Sequence, residues 1–128
     1  MLPTEWRPSD PSLVFTLIPW APWAKDRILA LSPSRWDKLV EKVRTFLLSD
    51  EEAVELERAT LGVAQPVRMD KVGRICLGEE LRKSLNIGNE IRLIGLGDRF
   101  EIWDLKRWEE KSRQPSRLGP ETGIKLGL

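Results

Sequence analysis

The run Asp70-Lys71-Val72-Gly73-Arg74-Ile75-Cys76-Leu77 decides the fold, read together with Leu96-Gly97-Asp98-Arg99-Phe100-Glu101-Ile102-Trp103-Asp104 downstream. Val67 and Met69 alternate with Arg68 and Asp70, the period of a half-buried strand. Lys71-Val72-Gly73 then turns the chain, with Gly73 supplying the positive φ that a tight turn needs, and residues 74–77 are expected to return as a second strand. The spacing predicts a short helix from Glu79 to Leu85, with Leu81 and Leu85 on one face and Asn86-Ile87-Gly88 as its stop. Ile91, Leu93 and the pair Ile94 and Leu96 mark a further strand, which turns at Gly95-Leu96-Gly97-Asp98 into Arg99 to Trp103. Asp104 is placed to cap a terminal helix carrying Leu105 and Trp108 inward.

Upstream lie two helices with recognisable starts. Ser32 followed by Pro33 reads as N-cap and first helical residue, and Trp36, Leu39, Val40, Val43 and Leu47 recur at helical spacing. Ser49 and Glu52 form a capping-box pattern for a second helix, with Ala53, Leu56 and Thr60 expected inside and Gly62 as its stop. Its acidic start, Asp50-Glu51-Glu52, suits the positive end of a helix dipole and reads as a solvated cap, not as a metal cluster.

The first half carries an internal echo of the second. Leu2-Pro3-Thr4-Glu5-Trp6-Arg7 resembles Leu77-Gly78-Glu79-Glu80-Leu81-Arg82, and Ser34-Arg35-Trp36-Asp37-Lys38 resembles Lys106-Arg107-Trp108-Glu109-Glu110, at offsets of 75 and 72 residues. Residues 14–17 and 27–31 then correspond to the strands at 91–94 and 100–103, with Pro19-Trp20-Ala21-Pro22-Trp23 as a stiff aromatic hairpin tip. No copy of residues 67–76 precedes Met1, so the first repeat begins in its middle. Either the true start lies upstream, which open strand edges in a paired barrel favour, or that hairpin has been lost. The expected organisation is a first repeat at 1–37 lacking its N-terminal hairpin, linking helices at 38–64, a second repeat at 65–108 and a flexible tail at 109–128.

Composition bounds the function. A chain of 128 residues fits one core, burying roughly two-thirds of its unfolded surface. With 32% charged residues and net charge +1, any nucleic-acid contact must come from a local basic patch. The absence of His, together with a single Cys, excludes Ser-His-Asp and Cys-His catalysis, His-containing metal sites and an intramolecular disulfide. The remaining Lys, Ser, Cys and carboxylates show no spacing that assembles a nucleophile with a base, so the chain reads as a non-enzyme without cofactor, metal or small-molecule substrate. Cys76, between Ile75 and Leu77, reads as a buried, inert thiol, and a free thiol suits a reducing cytoplasm. No apolar run approaches the roughly 18 residues of a membrane span, and the start lacks a signal-peptide layout. Trp36, Trp103 and Trp108 fall on apolar faces and read as core residues, while Trp20 and Trp23 suit a subunit interface.

The Asp-x-x-Gly-Arg turn, the Arg99-Phe100-Glu101-Ile102-Trp103 block and the duplication together resemble the MraZ family of bacterial transcriptional regulators, strongly from Val67 to Trp108 and weakly before it. The resemblance implies a mainly β fold with capping helices, an AbrB-like swapped-hairpin double-split β-barrel built from two tandem repeats. It also implies a nucleoid-associated, sequence-specific binder of double-stranded DNA that reads repeated G-rich promoter boxes of the division and cell-wall gene cluster as a ring-like homo-oligomer. A β-ribbon fits the major groove, where Arg74 is the first choice for two bonds to guanine O6 and N7. Lys71 and Arg68 suit phosphates, Asp70 orients Arg74 or the turn backbone, and Gly73 serves geometry. The family usually carries Pro where this chain has Gly78, and one chain presents one reading hairpin instead of two. That departure supports a second reading, an oligomerising structural or interaction protein without specific DNA binding.

Overall fold

Two apolar runs make the centre of the sheet. Strand β1, Val14–Trp20, pairs antiparallel with β2, Arg27–Leu31, placing Leu17 opposite Ala30 and Ile18 opposite Leu29. The computed structural model describes residues 14–20, 25–116 and 118–119; Ala21, Pro22 and Trp23 of the aromatic tip, the repeat element at 2–7 and half of the expected tail lie outside them. Helix α1 (Pro33–Val43) follows β2, and α2 (Glu51–Thr60) leads through a 3₁₀ turn, Leu61–Val63, into β3 (Gln65–Arg68). Helix α3 (Glu79–Ser84), strands β4 (Ile91–Gly95) and β5 (Arg99–Asp104), and helix α4 (Leu105–Arg113) complete the order. The strands form one antiparallel sheet, β3-β1-β2-β5-β4, so the protein is mainly β with capping helices. Strand β3, from the second half, crosses to pair with β1 of the first, Val14 opposite Arg68, which is the exchange that a swapped-hairpin pattern requires.

The duplication is written into the ladder. Strands β2 and β5 pair with Leu29 opposite Glu101, residues separated by the 72-residue repeat offset, while Ile28 faces Ile102 and Ala30 faces Phe100. Each flanking residue thus meets the repeat-equivalent of its mirror neighbour, so a pseudo-twofold axis runs through the Leu29/Glu101 pair. Hairpin β1-β2 with α1 and hairpin β4-β5 with α4 are its two halves. Their helices start alike, on side-chain caps 72 residues apart: Ser32 Oγ accepts from Arg35 N and Asp104 Oδ2 from Arg107 N.

One sheet face carries Phe15, Leu17, Ile28, Ala30, Phe100 and Ile102, all buried, and α3 closes it with Leu81 and Leu85. Phe15 and Phe100 meet edge to face at 5.5 Å across the pseudo-axis strands. The other face carries Ile18, Leu29 and Leu31 under Trp36 and Leu39 of α1. Trp103 is buried, donates from Nε1 to Glu101 Oε1 at 3.0 Å and packs edge to face on half-buried Trp108. Arg27 lies over the Trp103 ring at 5.1 Å.

Four expectations change. Helix α1 ends at Val43, because the Thr45 hydroxyl takes the Lys42 carbonyl at 2.6 Å and Phe46 N closes a turn onto Val43; Leu47 is therefore outside, 71% exposed. The second helix is capped by Asp50, not Ser49: its Oδ1 accepts from Glu52 N and Ala53 N, and Leu56 is 38% exposed while Thr60 is buried. Cys76 is exposed, since Ile75 and Leu77 on either side of it are the residues that pack on the core. Helix α4 runs on to Arg113, past the expected start of the tail, with Glu109 and Arg113 in register one turn apart.

Candidate nucleic-acid interface

The basic turn at 70–74 is built around one carboxylate. Gly73 N donates to Asp70 O at 3.1 Å, and Asp70 N donates to Arg74 O at 2.8 Å, closing a tight turn with Gly73 at φ 85°. That conformation is cheap only for glycine. Asp70 Oδ1 accepts from Val72 N at 3.0 Å and Arg74 N at 2.8 Å, and Oδ2 accepts from Arg74 Nε at 2.9 Å. The Arg74 backbone bond is the main cause holding the Asp70 carboxyl below its ordinary value; the Arg74 side chain and Val72 N–H add to it against lost hydration.

Arg74 is thereby oriented without being buried. Among the described residues its guanidinium is held through Nε alone, which leaves Nη1 and Nη2, the end-on fork, unbonded on a side chain 66% exposed. Arg68 at the end of β3 and Lys71 in the turn are exposed, and neither has an ion-pair partner among the described residues. The geometry thus joins Asp70, Gly73 and Arg74 as one bonded unit, with Arg68 and Lys71 beside it as unbonded cations.

The expected return strand differs. Residues 74–77 carry no ladder bonds among the described residues beyond the Asp70 to Arg74 closure. Strand β3 is committed to β1, whereas Ile75 and Leu77 pack on the core and Gly78 opens α3. The turn therefore projects from two diverging arms. Elsewhere in the second half, Asp104 ties the loop after α3 to the end of β5: its Oδ1 accepts from Gly88 N at 2.9 Å, and this bond leads the causes that lower its carboxyl from the ordinary value.

Sequence reading passed over a second cationic group. Arg35, Lys38 and Lys42 recur at three- and four-residue spacing along α1, and with Arg99 they rim a cavity of about 430 Å³ on the Trp20 face of the sheet. The spacing was visible; the strands that put an apolar floor beneath it were not.

A swapped, duplicated antiparallel sheet that presents an exposed, carboxylate-locked arginine turn is the framework of an AbrB-type protein. Residues 60–123 match the family described as "MraZ protein, putative antitoxin-like". A relative, "Transcriptional regulator MraZ" of Pseudoalteromonas translucida (strain TAC 125), is 34% identical over 85 residues, covering 66% of this chain and 56% of that protein. The chain belongs to the MraZ family. It spans about half the length of the curated relative it matches.

Proposed function

We propose that this chain is a sequence-specific, double-stranded-DNA-binding transcriptional regulator that works by binding and not by catalysis. The observation that carries the reading is the Asp70–Arg74 turn, in which Nε is spent on Asp70 and the fork is left free. Two parallel N–H donors on a fixed plane match guanine O6 and N7 in the major groove. Arg68 and Lys71 flank them as phosphate contacts, which hold register and add salt dependence. The name of the relative, a transcriptional regulator, supports the same class.

In this reading the targets are repeated G-rich boxes at the promoter of the division and cell-wall gene cluster, and the regulator acts in the cytoplasm on the nucleoid. One chain offers a single such turn among the described residues, so affinity is raised by a ring-like homo-oligomer that brings several turns to neighbouring boxes. The test is fluorescence anisotropy of the purified chain on a duplex with tandem G-rich boxes, a scrambled duplex and the Arg74→Ala variant. Preference for the boxes that is lost in the variant supports the reading. Equal, weak binding to both duplexes, unmoved by the substitution, rejects it in favour of an oligomerising interaction protein.

A further inference from the structure

The outer sheet face holds a cavity of about 430 Å³ between α1 and the β4–β5 turn. Ile18, Leu29, Leu31 and Leu39 floor it, and Trp20 and Leu96 stand at its sides. Its rim is basic. Arg35 and Arg99 share Asp98, at 3.8 and 3.0 Å, and Glu101 is already engaged by Trp103 and Arg27. Lys38 and Lys42 have no carboxylate partner among the described residues. An apolar floor under two unmatched ammonium groups fits an apolar, acidic occupant.

The same chain displays such an occupant. In the loop after α1, Leu47 and Leu48 are 71% and 87% exposed, and Asp50, Glu51 and Glu52 follow at once with no Lys or Arg beside them among the described residues. Turns closed by Phe46 N on Val43 O and Asp50 N on Leu47 O hold this loop outside its own cavity. We infer that the Leu47-Leu48 loop of one copy enters the α1 cavity of a second copy, with Glu51 and Glu52 against that copy's Lys38 and Lys42. Because the loop and the cavity are different patches of one chain, the contact runs head to tail, the type that closes into a ring when successive copies repeat it. This deepens the assembly part of the reading above and rests on it; it is independent of DNA.

The experiment is sedimentation of the full chain across concentration and salt, with melting by circular dichroism to show that each variant folds. All the substituted side chains are exposed, so folding is expected to survive. Leu47→Ser/Leu48→Ser and, separately, Lys38→Glu/Lys42→Glu are each expected to weaken self-association at least about tenfold. Mixing Lys38→Glu/Lys42→Glu with a Glu51→Lys/Glu52→Lys chain is expected to restore association that neither shows alone. A chain that stays monomeric throughout overturns both this contact and the assembly reading. Assembly that persists unchanged in the leucine and lysine variants, or charge reversals that fail to complement, overturns the contact alone.

Discussion

Replacing Arg74 with Lys separates charge from shape at the proposed reading turn. In the structure Arg74 Nε sits 2.9 Å from Asp70 Oδ2, so one donor orients the group while Nη1 and Nη2 remain for a base. A lysine keeps the unit charge but offers one compact ammonium, which can satisfy Asp70 or a guanine and not both in a fixed plane. A bidentate arginine–guanine pair discriminates by about 1–3 kcal/mol, which is about 5- to 150-fold in affinity. Arg74→Lys is therefore expected to lower the ratio of affinities for G-rich over scrambled duplex by that factor for each engaged turn. The dependence on salt should scarcely change, because that slope counts neutralised phosphates at about 0.9 each and the charge is kept. Arg68→Ala or Lys71→Ala should do the opposite, flattening the slope by about one unit while leaving the ratio in place. Anisotropy titrations on both duplexes at four or more salt concentrations read both quantities at once. An Arg74→Lys chain with the wild-type ratio would refute the argument, since Arg74 would then act as a charge alone.

Asp104→Ala removes the α4 cap and the tie to Gly88 together, and is expected to destabilise by about 1–2 kcal/mol in urea unfolding. Because the Asp104 carboxyl lies below its ordinary value in the fold, its contribution is fully present above the unfolded value and is lost as pH falls through the folded one; the gap between wild type and variant should close on acidification below about pH 4. Gly78→Pro suits the existing φ of −58° and is expected to stabilise by about 0.4–1 kcal/mol through the unfolded chain, with only the flexible Gln65 side-chain end, 2.8 Å from the position of a Cβ, having to move; a lower melting temperature would show that Gln65 cannot yield. Leu17→Ala empties a fully buried position on β1, an interior strand of the sheet, and should cost about 3–5 kcal/mol in the same assay.

Features set by neighbours in sequence were legible. The caps at Ser32 and Asp104, the stop at Asn86 with its φ of 52°, and the Gly73 turn each depend on a few adjacent residues, and each forms. Leu81 and Leu85 were placed inside from spacing, and both are buried. What depended on distant partners was not legible. Leu47 continues the helical period of α1, yet a threonine hydroxyl ends the helix about one turn earlier than the pattern does. Cys76 belongs to an apolar run, but only its neighbours Ile75 and Leu77 turn onto the core. The ladder between residues 67–69 and 74–77 fails because β3 takes β1 as its partner, 50 residues away in sequence, and no local signal carries that preference.

The pseudo-twofold axis explains why stability and reading separate in this molecule. The centre of the core lies on the symmetric elements: Phe15, Leu17, Ile28, Ala30, Phe100 and Ile102 come from three of the four strands that the axis relates, and Leu81 and Leu85 close over them. The basic turn hangs instead from β3, the one strand without a counterpart across the axis among the described residues. Its bonds run from Asp70 to its own neighbours and to Arg74, all at exposed positions where water can replace a lost partner. Substitutions of Lys71 or Arg74, both exposed, should therefore change what the protein binds while leaving its unfolding transition in place, and substitutions on the axis should do the reverse. A turn tied into the core would not permit that division; one locked by a single carboxylate does.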